Sequence, residues 1–197
     1  ENVHEIVESI CDLLDEDGVF ISESHYLLNL IETLQYDTIY HEHLRYYSVI
    51  ALQNLFQTHD LEIVHCKRIP THGGSIRVYA ARKGRITVRE SVGKTMEEEE
   101  KAGLNSLEGL SSFRERVALS KLQLLSLLHE IKKDKAKIYA VGAPSRASTL
   151  VNYVGLDDNI LDCVLEINGS YKIGKYMPGT LIPVVDESRL FDDQPGY

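Results

Sequence analysis

From about Thr95 to Lys133 the sequence is unlike what flanks it. It is acidic near its start, Glu97 to Glu100, and basic at its end, Lys132 and Lys133. Between them Leu104, Leu107, Leu110, Phe113, Val117, Leu124, Leu128 and Ile131 form one apolar stripe. Charges of these signs complement a helix dipole, so the stretch predicts a long helix with a single buried face. Gly103 and Gly109 mark its first half as the place for a break. The acidic run reads as a solvated helix start. A helix of this length divides the chain in two, with mixed helix and strand patterning before it and after it.

Before it, Val3, Ile6, Val7, Ile10, Leu13 and Leu14 predict an amphipathic helix, and Val19-Phe20-Ile21 a buried strand whose polar end, Glu23 and His25, points into a cleft. Tyr26 to Leu34 is a short helical or loop segment. Ser48 suits the N-cap of a helix carrying Val49, Leu52, Leu55 and Phe56. Leu61 to Cys66 and Ile76 to Ala80 alternate as strands around Thr71-His72-Gly73-Gly74-Ser75, which predicts an antiparallel pair. Arg82 to Val92 is polar and reads as a linker. After the long helix, Lys137 to Val141 is a strand, Gly142 to Arg146 a small-residue turn, and Leu150, Val151 and Val154 mark a helix, the opening of a Rossmann-like unit. Further strands are expected at Ile160 to Leu165 and Leu181 to Val185. The boundaries expected are 1–83, 84–134 and 135–197, and the class is α/β.

At 197 residues and 43% hydrophobic the chain has enough apolar content for a real core. A net charge of -9 argues against nucleic-acid and anionic-membrane partners, so a phosphate-bearing ligand has to be held locally. Cys11, Cys66 and Cys163 are far apart and lie in apolar patterns, as buried thiols in a reducing compartment do; neither a disulfide framework nor a zinc site is expected. No apolar run approaches the roughly 20 residues that span a bilayer, and a cytoplasmic location is expected. The chain opens inside a helix without Met and ends at Gln194-Pro195-Gly196-Tyr197, so both ends are expected to be cut from a longer protein.

Chemistry concentrates between Tyr36 and Ser48, where two imidazoles, two carboxylates, four phenols and a guanidinium occupy thirteen residues. Around Tyr40-His41-Glu42-His43 three readings stand. A metal site is opposed by the i, i+2 histidine spacing and the lack of a nearby third ligand. A polar loop with hydrogen-bonded histidines is the plain alternative. General acid-base work draws on imidazole, a group that titrates near neutrality, with a carboxylate to orient it and phenols to bond a substrate oxygen. His72-Gly73-Gly74 is by default a hairpin turn, although its glycines would let backbone N–H groups approach a ligand beside Arg77. Gly142-Ala143-Pro144 has one glycine where a dinucleotide fingerprint has three, so bound NAD is not expected; a phosphate or carbonyl at the helix N-terminus stays open.

Four motifs then occur together in order: Tyr36-Asp37-x-x-Tyr40-x-Glu42-His43, His72-Gly73-Gly74-Ser75-x-Arg77, Gly142-Ala143-Pro144, and Lys172-x-Gly174-x-Tyr176-x-Pro178-Gly179-Thr180-x-Ile182-Pro183-Val184. This series resembles the sugar C-methyltransferase family across essentially the whole chain. The resemblance implies the C-terminal half of a class I methyltransferase Rossmann-like sheet, a long linking helix and a second Rossmann-like α/β domain. It implies S-adenosylmethionine as cofactor and a nucleotide-linked deoxysugar as substrate, methylated on a carbon beside its ketone. His43 becomes the general base with Tyr40 and Glu42 as active-site partners, and no metal takes part. His72, Gly73, Gly74, Arg77, Gly142, Ala143, Pro144, Lys172 and Tyr176 become substrate-side residues. Family members begin with a zinc domain and a Gly-rich cofactor turn that this sequence does not contain, so the piece alone is expected to be inactive. The alternatives are a nucleotide-sugar binding module without chemistry, and an O- or N-methyltransferase of the same fold.

Overall fold

In the computed structural model, residues 2–196 are described, and they form two compact units, one of residues 2–35 with 45–114 and one of residues 36–44 with 115–196. Each is built around its own three-stranded sheet.

In the first unit, α1 (Val3–Leu13) is capped by Asn2, whose side chain accepts the His4 N–H at 3.1 Å. β1 (Val19–His25), β2 (Leu61–Ile69) and β3 (Ser75–Arg82) form an antiparallel sheet in the order β1-β3-β2. The predicted β2-β3 pair is present, its register running from Leu61 opposite Arg82 to Ile69 opposite Ser75 with one irregularity between Ile63 and His65. β1 departs from the expected buried strand: it is an edge, and Val19 and Ile21 are 43% and 55% exposed. Phe20, on the other face, meets the edge of Phe56 at 6.1 Å. The core joins Val7, Tyr26 just before α2 (Leu27–Glu32) and Leu28 within it to Val49, Leu52 and Phe56 of α3 (Val49–Gln57) and to Leu61, Ile63, Ile76, Val78 and Ala80 of the strands.

The expected single helix is interrupted. α4 (Glu90–Lys101) begins inside the segment read as a linker and buries Val92, and α5 (Leu107–Lys133) follows after a turn. Gly103 takes a φ of 73° there, and an added Cβ on Gly109 would run into the Gly103 carbonyl, so the two glycines make the break by close approach. Ser106 restarts the helix by accepting the Gly109 N–H at 3.1 Å.

The run Glu97 to Glu100 is therefore the end of a helix and not its start, and Glu99 is fully buried. Its carboxylate accepts the backbone N–H groups of Val49 at 2.6 Å and Ile50 at 2.9 Å, while Ser48 accepts that of Ala51 at 3.0 Å. Three of the donors that every helix leaves unpaired at its N-terminus are satisfied this way. The Tyr26 phenol lies beside this carboxylate, and its burial, reinforced by that negative charge, pushes its pKa well above the usual range.

The second unit holds the parallel sheet β4 (Tyr139–Val141), β5 (Cys163–Glu166), β6 (Val184–Asp186), in that spatial order. α6 (Ser145–Val154) connects β4 to β5, as parallel neighbours require. Its apolar residues Val151 and Val154 pack with Leu128, Ile138, Leu161, Val164, Met177, Ile182 and Val184. No helix among the described residues is long and apolar enough to cross a membrane.

Candidate functional site

Residues 36–44 lie in the second unit although the chain before and after them belongs to the first. The segment opens with a 3-10 turn at Tyr36–Thr38 and tightens through backbone bonds from Tyr40 N to Thr38 O (3.0 Å) and from His43 N to Tyr40 O (3.1 Å). This brings its titratable groups together. The Tyr40 ring meets His43 edge-on at 5.1 Å and His41 at 5.8 Å, and the Tyr40 hydroxyl donates to Glu42 Oε2 at 3.5 Å. Glu42 Oε1 lies 3.9 Å from His41 Nε2. Among the described residues, no group of three or more His, Cys, Asp and Glu side chains is placed to hold a metal ion.

A cavity of about 390 Å³ in the same unit is lined by Tyr40 and His41, by Ala143, Pro144, Ser145, Ser148 and Thr149 at the start of α6, and by Tyr171, Lys172, Lys175, Tyr176 and Pro178 from the loop before β6. Of the residues picked from the sequence, Tyr40, Ala143, Pro144, Lys172 and Tyr176 thus share one wall. Glu42 and His43 are on the adjoining turn and outside the lining, where His41 is found instead. Gly142 lines a separate pocket of about 170 Å³ with Val141, Glu166 and Phe191.

The loop that bears Lys172 is held by Glu166 at the end of β5. One Glu166 oxygen accepts the Ala143 N–H at 3.0 Å and lies 3.6 Å from Lys172 Nζ, which itself donates to the Ala143 carbonyl at 2.7 Å. The Ala143 hydrogen bond, with the Lys172 charge behind it, holds the Glu166 carboxyl below the usual range. Lys172 is accordingly spent largely on the loop. Lys175, stacked over the Tyr171 ring at 4.9 Å, is the cation that faces the cavity without such a tie among the described contacts. Ser145 and Lys175 fall within the Gly142 turn and the Lys172 to Thr180 loop that the resemblance marks as substrate-side; Glu166, Ser148 and Tyr171 fall outside them, and a carboxylate ending a strand is the available signal for Glu166.

In the first unit, His72, Gly73, Gly74 and Arg77 surround the β2-β3 connection. His72, Gly73 and Gly74 all have positive φ, at 52°, 82° and 119°. The Gly73 carbonyl accepts from Gln35 Nε2 at 2.7 Å and Asn29 Nδ2 at 3.3 Å, and an added Cβ on either glycine would collide with one of those side chains. Arg77 donates from Nε and Nη2 to Glu23 Oε2 at 2.9 and 2.7 Å, and Thr71 donates to Glu23 Oε1 at 3.1 Å. Arg77 above all holds the Glu23 carboxyl below its ordinary range. His25, on the same strand end, has Nδ1 3.4 Å from the Gly74 carbonyl and its ring 6.2 Å from Tyr46.

Fold and sites together define an α/β protein in which a turn rich in imidazole and phenol adjoins a basic, tyrosine-walled cavity. A family profile described as the C-methyltransferase C-terminal domain matches residues 70–197. Over all 197 residues the chain is 31% identical to the C-methyltransferase NovU of Streptomyces niveus, of which it covers 47%. The chain belongs to the C-methyltransferase family, and it spans about half the length of the curated relative it matches.

Proposed function

We propose that the complete enzyme is an S-adenosylmethionine-dependent C-methyltransferase acting on the carbon beside the ketone of a nucleotide-linked deoxysugar, and that the second unit holds this substrate. The observation that carries this reading is the shared wall: Tyr40 and His41 line the same cavity as Ser145, Lys172 and Lys175. The start of α6, Lys175 and hydroxyls suit the phosphates of a nucleotide, and the aromatic rings suit its base or sugar. His43 is the general base that removes the proton from that carbon, set against the edge of the Tyr40 ring, and phenol or imidazole donors bond the oxygen that becomes an enolate. S-adenosylmethionine supplies the methyl group in this chemistry. Its sulfonium is a cation, and a cavity carrying Lys172 and Lys175 does not fit it, so no residue of this cavity is assigned to the donor.

The test is methyl transfer by the full-length enzyme to nucleotide-linked ketosugars, with the product read by NMR for a new methyl on carbon. His43→Ala is expected to slow turnover by at least about a hundredfold while donor binding persists. Retained turnover in His43→Ala alongside its loss in His41→Ala would move the base to the cavity-lining histidine. A methyl found on oxygen or nitrogen would sink the reaction class.

A further inference from the structure

The turn that carries His41 and His43 is seated on one face of α6. Arg146 donates from Nε to Asp37 Oδ2 at 3.0 Å and from Nη2 to Asp37 Oδ1 at 2.9 Å. One turn on, the Thr149 hydroxyl donates to the Ile39 carbonyl at 3.0 Å, and one turn further the Tyr153 ring meets Tyr36 edge-on at 5.2 Å. Residues 146, 149 and 153 fall on a single helical stripe, and their partners 37, 39 and 36 are three of the four residues immediately before Tyr40. Ser145 and Ser148, on the neighbouring stripe, line the cavity. One short helix therefore builds the cavity wall and sets the turn that faces it.

We propose that Asp37 and Arg146 are a positioning pair that fixes the Tyr40 to His43 turn at the cavity, resting on the reading that this turn carries the chemistry. The forked guanidinium matches both carboxylate oxygens at once, which constrains orientation as well as distance; a lysine would supply charge without that constraint. The pair is about one-third exposed on the Arg146 side and one-quarter on the Asp37 side. The two-point contact ties the orientation of the Asp37 carboxylate to α6, so the effect expected is on where the turn sits.

Two measurements test the pair. In the full-length enzyme, amide hydrogen exchange is compared for wild type, Arg146→Ala, Arg146→Lys and the swapped pair Asp37→Arg with Arg146→Asp. Exchange over residues 36–44 is expected to rise in Arg146→Ala and less in Arg146→Lys, to return most of the way in the swap, and to leave β4 and β5 unchanged. Equal exchange over 36–44 in all four proteins overturns the proposal, and Arg146→Lys and the swap answer the question even if the alanine variant does not fold. In the full-length enzyme Arg146→Ala should lower kcat by about a hundredfold, the scale of loss for a misplaced catalytic group, with the KM for the methyl donor unchanged and recovery in the swap. A loosened turn with unchanged kcat upholds the pair and counts against the reading that this turn carries the chemistry. A wild-type enzyme that fails to methylate any nucleotide-linked ketosugar counts against the proposed function alone, and the exchange comparison still decides the pair.

Discussion

Glu99 is a fully buried carboxylate whose oxygens are occupied by two backbone N–H groups at the start of α3. Removing it leaves those donors buried without partners, the costliest way to lose a hydrogen bond. Glu99→Ala is expected to lower the stability of the first unit by about 2 to 3 kcal/mol, and Glu99→Gln by less because one acceptor remains. Urea denaturation of the two variants checks the order; equal stability for Ala and wild type would rule the cap out as a stabilising contact. Nothing local in the sequence distinguishes Glu99 from Glu97, Glu98 or Glu100. Its role arises where α4 packs on α3, fifty residues away in sequence, and a solvated face is the reading that local pattern alone supports. Asp37 and Arg146 escape for the same reason, being 109 residues apart, although both residues stand in motifs visible in the sequence.

Elements were legible where the signal is periodic and local. The α1 periodicity, the Ser48 cap, the β2-β3 pair and the strand, turn and helix at β4 and α6 follow from spacing and capping chemistry alone. The break between α4 and α5 was legible only as two glycines, because what makes it a turn is their contact with each other. The β2-β3 connection offers the test at this scale. Gly74 has a φ of 119°, and a Cβ there meets the Asn29 side chain. Gly74→Ala should cost about 1 to 3 kcal/mol, the usual cost of a non-glycine residue in a sparsely populated backbone region, with an unchanged denaturant slope. If the variant is as stable as wild type, the turn adapts and its glycines are free for a role toward ligands.

Over the whole molecule the two units differ in how acid should reach them. In the second, Lys137 and then Tyr139 hold the Asp193 carboxyl below its ordinary range, and the Ala143 N–H does the same for Glu166. Asp162 is lowered as well: burial opposes this, but the Ile138 N–H and Lys132 outweigh it. Among the described residues of the first unit the lowered carboxyl is that of Glu23, through Arg77. A carboxyl that titrates lower when folded gives its full stabilisation above the unfolded pKa near 4 and loses it as pH falls through the folded value. Acidification below about pH 4 is therefore expected to release amide protection in β4, β5 and β6 before β2 and β3. Loss in the reverse order, measured by hydrogen exchange from pH 7 downward, would contradict this.

The passage of residues 36–44 out of one unit and into the other also sets an order of assembly. During synthesis the turn emerges well before Arg146, Thr149 and Tyr153 exist, and at ribosomal rates of about 5 to 20 residues per second it waits roughly 5 to 20 s for them. Until then the turn has none of the α6 contacts that seat it. A chain stopped between the two units would carry every residue of the Tyr40 to His43 turn and none of the helix that seats it.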